Sequence, residues 1–250
     1  MDLAHRLIAI FEMPTEYVEI AKNNFPIFFY LVTFFLSLKY YRKYFDTVLK
    51  YLPLILAYTL LNELLGHIIR YSSTFAIFPD RTVDNDIIYN VYDLIYFGFY
   101  FHVLWQLVES QKKKNLIKWV SFAVLTAYLI NCIFQNPFEI SLYYAYTLAS
   151  FALVLFSIMY LSQLQPYPGP SIKKYNLMYW ITIGLVIFHS IFPILFITGY
   201  LKPAIWYDYE FQTIGRILIV VMNIIFCYGF FRARKKSFQN GRSPSLTHDI

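Results

Sequence analysis

The chain has 250 residues, of which 58% are hydrophobic and 14% are charged, with a formal net charge of +6. Soluble domains average about 45–50% apolar and about 25% charged residues, and a single soluble core stops growing at about this chain length. A soluble globular protein is therefore excluded. The composition predicts an integral membrane protein whose apolar surface faces lipid, and it favours no nucleic-acid partner.

Seven apolar stretches fill most of the chain. At a rise of about 1.5 Å per residue, each covers most or all of a hydrocarbon core about 30 Å thick. The stretches are apolar on both faces and about twice as long as a transmembrane β-strand, which excludes a barrel. We therefore predict an all-α polytopic bundle with seven transmembrane helices. The predicted spans cover residues 25–41, 51–69, 87–108, 119–136, 140–164, 177–200 and 211–231.

The Lys and Arg residues outside the spans predict the orientation. Fifteen Lys and Arg residues, counting Lys39 at the inner end of the first span, lie at the connections after the first, third and fifth spans and in the C-terminal tail, against five at the opposite end of the bundle. Basic residues accumulate on the cytoplasmic side of membrane proteins. The N-terminus is therefore predicted outside and the C-terminus in the cytoplasm, and we expect the cytoplasmic (inner) membrane of a cell.

Three regions follow from this reading. Residues 1–24 are an expected extracytoplasmic amphipathic segment, because apolar residues recur at helical spacing before Pro14. Residues 25–236 form the seven-helix bundle. Residues 237–250 are polar and are expected to form a disordered cytoplasmic tail. Because this tail carries no signalling module, we expect any signal to pass to a cytoplasmic partner protein.

Three ionisable side chains lie well inside the predicted spans: Glu63, Asp93 and Arg216. Counted from the predicted outer end of each span, all three lie about 8–9 Å deep, and Asn131 falls within the same layer. Charge facing lipid is costly, at about 2.5–3.5 kcal/mol per residue. We therefore expect these groups to face one another inside the bundle, with Tyr96 and His67 as supporting hydrogen-bonding groups.

The charge of this layer admits two interpretations. Two carboxylates and one guanidinium leave a net charge of minus one, which a low dielectric does not tolerate without a proton, a cation or a cationic ligand. The layer is then a ligand-binding pocket. Alternatively, Arg216 pairs with one acid as a link between helices, and the other acid stays protonated or meets water.

Cofactor and catalytic signals are weak. His67, His102 and His189 lie at different predicted depths, so no metal site is expected, because zinc needs three or four converging ligands. Cys132 and Cys227 fall inside spans and are typical of buried apolar residues. No Ser or Cys is evidently paired with a base, no catalytic residue is assigned, and no cofactor is expected.

The segment Asn62-Glu63-Leu64-Leu65-Gly66-His67, followed by a short polar loop and Ile88-Tyr89-Asn90-Val91-Tyr92, resembles a group of uncharacterised bacterial seven-helix membrane proteins. Their topology is similar to that of the seven-helix sensory modules that precede some histidine kinases. The resemblance implies a seven-helix membrane fold and implies no substrate or catalytic residue.

Three function classes remain open. The first is a sensory or ligand-binding module that takes a small molecule or cation and signals to a cytoplasmic partner. The second is a proton- or cation-coupled transporter, in which His189 and His102 continue a polar path inward from Asp93. The third is an intramembrane lipid hydrolase. Whether the chain is an enzyme is left open, although the pattern favours a non-enzyme.

Overall fold

The computed structural model describes residues 15–71, 86–164 and 175–234, and all regular secondary structure within these ranges is helical. A short 3-10 turn, Tyr41–Lys43, follows the first helix. The α-helices of the described part are α1 Thr15–Lys39, α2 Leu52–Tyr71, α3 Asp86–Leu107, α4 Gln111–Phe134, α5 Tyr143–Gln163, α6 Leu177–Leu201, α7 Pro203–Asp208 and α8 Phe211–Arg232.

Six of these helices, α2 to α6 and α8, are long and apolar enough to cross a membrane. Large apolar side chains lie on their outer faces; Phe134 is 81% exposed and Ile133 is 78% exposed. Apolar surface of this extent is not stable in water. The architecture indicates a multi-pass membrane protein whose helices contact the lipid bilayer. This confirms the predicted all-helical class and six of the membrane-length helices.

The first predicted span has a shorter apolar segment than the others. It lies within α1, but the apolar part of this helix, Asn24–Lys39, is shorter than the six spanning helices. The helix itself begins at Thr15, so the division predicted between residues 24 and 25 falls inside α1. Glutamates and other good helix formers continue the helix into this polar segment. Residues 1–14 and the predicted tail, 237–250, lie outside the described residues.

An additional short helix, α7, separates the last two long helices and was not predicted. Pro203 occupies its first turn, where a missing N–H costs nothing. Glu210 then adopts a left-handed conformation, with φ 49° and ψ 40°, and ends the segment before α8 begins. The sequence signal for this turn was weak because Glu is uncommon at positive φ.

The long helices form a closed ring. Helix α1 packs against α2 and α8, α2 packs against α3, α3 against α5, α5 against α6, and α6 against α8. Helix α4 lies outside this ring and packs on α3 and α5. Aromatic side chains fill the interior of the ring, and several are fully buried. Examples are Phe97, Tyr100 and Phe156, which are at most 2% exposed.

Glycines bring α6 and α8 close together. A Cβ atom on Gly184 would lie 2.7 Å from the Phe226 ring, and a Cβ atom on Gly229 would lie 2.7 Å from Cβ of Trp180. Because lipid supplies little hydrophobic drive between helices, membrane helices associate through close van der Waals packing at small residues. The α6–α8 contact is therefore a stabilising seam of the ring.

Asn90 ties α3 to the connection between α4 and α5. Its Nδ2 donates hydrogen bonds to the carbonyl oxygens of Pro137 (2.7 Å) and Ile140 (3.1 Å), and its Oδ1 accepts one from the backbone N–H of Leu142 (3.0 Å). The side chain is buried. One amide therefore satisfies three backbone groups of a turn that has no other regular structure.

Replacing Asn90 with Ala is expected to lower the free energy of unfolding by about 2–3 kcal/mol, because buried backbone groups lose their partners. Chemical unfolding in detergent measures this loss. Asn115→Ala is a suitable control, since Asn115 is exposed and bonds only to Gln111 on the same helix; we expect a change within about 0.5 kcal/mol. Equal losses in the two variants would contradict the role of Asn90.

Candidate functional site

Asp93 occupies the inner face of α3. It lies on the same helical face as Tyr96, Phe97 and Tyr100, all of which are buried in the core. Within the described part of the chain, its carboxylate makes no hydrogen bond and no ion pair. An intramembrane carboxylate that has no protein partner is costly when ionised. The negative charge of Asp93 must therefore be neutralised by a proton, a cation or a cationic ligand.

Glu63 on α2 is the neighbouring acid. It lies close enough to Asp93 for the two carboxylates to interact electrostatically, as the predicted polar layer requires. Glu63 also makes interactions within the protein. The structure thus brings together two of the three predicted ionisable residues, on adjacent helices of the ring, and gives them different surroundings.

Several tyrosine side chains lie near this pair of carboxylates. Tyr30 on α1 lies within electrostatic range of Glu63, Tyr146 on α5 lies within range of Asp93, and Tyr92 on α3 lies within range of both. The Tyr92 hydroxyl also lies 2.9 Å from Oγ1 of Thr59 on α2. Four helices of the ring therefore contribute polar groups to one region of an otherwise apolar interior.

Asn62 is a further polar residue of this region that the sequence did not single out. Its side chain is 3% exposed, and within the part of the chain that the structure describes neither its Nδ2 nor its Oδ1 has a hydrogen-bond partner. It shares a face of α2 with Tyr58 and Gly66, and these two residues contact Tyr92 and Tyr89 of α3. Buried amides are nearly always satisfied. An unsatisfied amide in the α2–α3 seam is a second polar group that a ligand could engage.

Tyr96 belongs to a hydrogen-bonded chain deeper in the ring. Its hydroxyl lies 3.3 Å from Nε2 of His189 on α6, and His189 Nδ1 lies 3.0 Å from Oγ of Ser150 on α5. All three side chains are buried. From the sequence we expected no serine to be paired with a base. The contact between Ser150 and His189 corrects this expectation. The two residues come from different helices, so their spacing in the chain carried no signal.

Asn131 on α4 links this helix to α5. Its Nδ2 donates to Oε1 of Gln135 at 2.5 Å, and its Oδ1 accepts from the backbone N–H of Ala145 at 3.2 Å. Gln135 in turn donates to the Tyr200 hydroxyl at 2.9 Å. The amide of Asn131 thus holds the first turn of α5 against α4. Its predicted role as a ligand-binding group stays a prediction.

Arg216 and His67 are half-buried on α8 and α2, and each makes interactions within the protein. The predicted pairing of Arg216 with an acid of the polar layer stays a prediction. Arg216 shares a face of α8 with Asn223 and Cys227, and the Cys227 sulfur lies 3.4 Å from Oγ1 of Thr33 on α1. That face of α8 is directed toward α1.

Comparison with protein-family models, curated proteins and solved structures finds no match to this chain. The function must therefore be argued from the site. Within the described residues, no group of three or more His, Cys, Asp or Glu side chains is placed to hold a metal ion. His102, which the transporter hypothesis placed on an inward polar path, is exposed on the outer side of α3, where it contacts Gln106.

Proposed function

We propose that this protein is a membrane receptor module that binds a small cation or a cationic molecule between α2 and α3. The observation that supports the proposal is the Asp93 carboxylate, which lies inside the ring beside Glu63 and has no partner in the described part of the chain. A positive charge there offsets the repulsion between the two acids and the cost of keeping Asp93 ionised in a low dielectric.

The surrounding groups favour a hydrogen-bonded ligand. The amide of Asn62 has no hydrogen-bond partner among the described residues, so it gains hydrogen bonds when a ligand binds. The tyrosine rings near the acids also suit a cation, because the face of an aromatic ring attracts positive charge. A small organic ammonium ion fits these groups well, since it combines a charge, N–H donors and an apolar surface.

The topology that we propose for this module has seven transmembrane helices, with α1 as the first. Lys39 and Tyr40 at the end of α1 extend its reach, because lysine extends to the headgroups and tyrosine prefers the membrane interface. The N-terminus is then outside and the C-terminus cytoplasmic, in the cytoplasmic membrane of a cell. Glu63 and Asp93 then lie about 8–9 Å below the outer boundary.

We propose that ligand occupancy reaches the cytoplasmic end through α3. Gln163 at the end of α5 holds the end of α3 from two sides: its Nε2 donates to the carbonyl oxygen of Leu107 at 2.8 Å, and its Oε1 accepts from the backbone N–H of Glu109 at 3.2 Å. A shift of α3 therefore moves the end of α5 and the loop before α4. A ligand that prefers one helix arrangement shifts the population toward it, and a cytoplasmic partner protein reads the change.

The test is ligand-dependent stabilisation of the purified protein. We expect sodium, calcium or choline, each titrated separately, to raise the unfolding temperature, because a ligand at about one hundred times its Kd adds about 2.7 kcal/mol to the stability of the folded state. Asp93→Asn should abolish the response. Asp208→Asn is a matched control, since Asp208 is exposed at the end of α7. A response that survives in Asp93→Asn would contradict the proposal.

A second candidate is a proton- or cation-coupled transporter. The chain from Tyr96 through His189 to Ser150 favours it, because this chain carries polar groups from the region of Asp93 toward α5 and α6. Uptake of a cation into liposomes under a pH gradient, lost in His189→Leu, would support transport over signalling. Ligand-dependent stabilisation without any flux would support the receptor.

A further inference from the structure

A lateral groove lies between α3 and α4, outside the ring that holds the polar site. It encloses about 470 Å³. Helix α3 lines it with residues on one face from Leu94 to Trp105, and α4 lines it with residues from Ile117 to Tyr128. Neither Glu63 nor Asp93 lines this groove, so its occupant is distinct from the ligand of the polar site.

The groove changes character along its length. Its end near the loop that joins α3 and α4 carries the polar side chains of His102, Lys118 and Ser121. Its other end is lined mainly by apolar side chains, including Leu94 and Leu125, together with Tyr128. A cation and hydrogen-bonding groups at one end and an apolar channel at the other match the two parts of an amphiphile.

A second lysine lies one helical turn from the polar end. Lys114 precedes Lys118 by four residues, so both lie on the same face of α4, and its Nζ lies 5.6 Å from the centre of the Trp105 ring. Trp105 itself lines the groove. Tryptophan prefers the membrane interface, which places this end at the level of the lipid headgroups.

The depth of the groove matches one leaflet. The α3 residues from Leu94 to Trp105 extend about 16 Å along the helix axis, and half of a hydrocarbon core is about 15 Å thick. A chain that enters beside Trp105 therefore ends near the middle of the bilayer. This length suits one acyl chain of a phospholipid in the leaflet that contains the lysines.

We propose that this groove is a binding site for an anionic phospholipid, with its phosphate at Lys114 and Lys118 and one acyl chain along the groove toward Leu94. The two lysines select a negatively charged headgroup, and the apolar walls hold the acyl chain away from the exchanging bulk lipid. On the topology proposed above, this lipid belongs to the cytoplasmic leaflet.

Gly98 permits a direct test, because a Cβ atom at this position would meet no other atom within 4 Å. Gly98→Phe extends a ring from this position into the groove. Ile95→Phe is the matched control: it adds a ring to the same helix at a residue that is 48% exposed and does not line the groove. The protein is purified with equal amounts of phosphatidylglycerol and phosphatidylcholine, and the bound lipids are counted by native mass spectrometry.

The wild-type protein and Ile95→Phe should retain phosphatidylglycerol, and Gly98→Phe should lose it about tenfold. Lys114→Gln and Lys118→Gln should each reduce the preference for phosphatidylglycerol over phosphatidylcholine about fivefold, whereas Lys50→Gln, at an exposed lysine outside the groove, should leave it unchanged. Equal retention in the two phenylalanine variants would overturn the proposal. Equal retention of the two lipids by the wild type would also overturn the proposal. If Gly98→Phe fails to fold, the lysine variants decide: an unchanged preference for phosphatidylglycerol in both of them would overturn it.

Discussion

Replacing Asp93 with Asn is expected to leave the ligand-free protein at least as stable as the wild type, with a gain of up to about 3 kcal/mol at neutral pH. The physical reason is that the Asp93 carboxylate has no partner in the described part of the chain, so its removal breaks no hydrogen bond or ion pair. It does remove the cost of a charge inside the bundle, which is about 2.5–3.5 kcal/mol on insertion scales. Thermal unfolding in detergent without added cations measures the difference.

Glu63→Gln provides the comparison. Glu63 makes interactions within the protein, and where a carboxylate accepts a hydrogen bond or pairs with a cation, removing its charge costs that interaction. We therefore expect Glu63→Gln to be destabilising and Asp93→Asn not to be. If both variants lose stability equally, the two acids hold the helices together, and the ligand-binding hypothesis loses its basis.

Replacing Gly229 with Ala is expected to destabilise the protein by about 1–3 kcal/mol, because the added methyl group overpacks the α6–α8 seam. The new Cβ would lie 2.7 Å from Cβ of Trp180, an atom that can move only with the α6 backbone. Trp180 has little freedom to yield, since its ring also packs against Tyr228 with 4.6 Å between ring centres. Unfolding of purified protein by increasing denaturant measures the loss.

Gly98→Ala is the control for this prediction. It makes the same chemical change in another membrane helix, at a position where the added Cβ meets open space. Alanine is favoured over glycine in a helix by up to about 1 kcal/mol, so this variant should be equal to the wild type or more stable. Loss of stability in both variants would show that glycine is required for a reason other than the close approach of α6 and α8.

The predicted polar layer stays a prediction as a binding site, although Glu63 and Asp93 lie within electrostatic range of each other. Glu63 and Asp93 were found from depth and helical spacing alone, because a helix presents every third or fourth residue on one face. Their proximity in the structure agrees with that reasoning. The rotation of α8 about its axis and the hydrogen bonds of Asn131 could not be predicted in the same way. The depth of a residue gives its position along the helix axis but does not identify the neighbouring side chain that it contacts.

Other features of the interior required the assembled ring. The contact between Ser150 and His189 joins α5 and α6, and the burial of the Asn62 amide without a partner among the described residues is evident only in the folded bundle. The lateral groove likewise exists because α4 packs outside the ring and leaves Gly98 uncovered. Each of these depends on how helices that are distant in sequence are rotated about their own axes.

The amino-acid sequence by itself determined that this is an all-helical membrane protein, and it located most of its long helices, because the length and apolarity of a segment decide whether it can lie in a bilayer. It also placed two acids at one depth. The tertiary structure alone decided that α1 extends back to Thr15, that Asp93 has no partner in the described chain while Glu63 is engaged, and that α4 stands outside the ring. Apolar helices pack together through shape and small residues, and such complementarity between distant segments leaves no periodic signal in the chain.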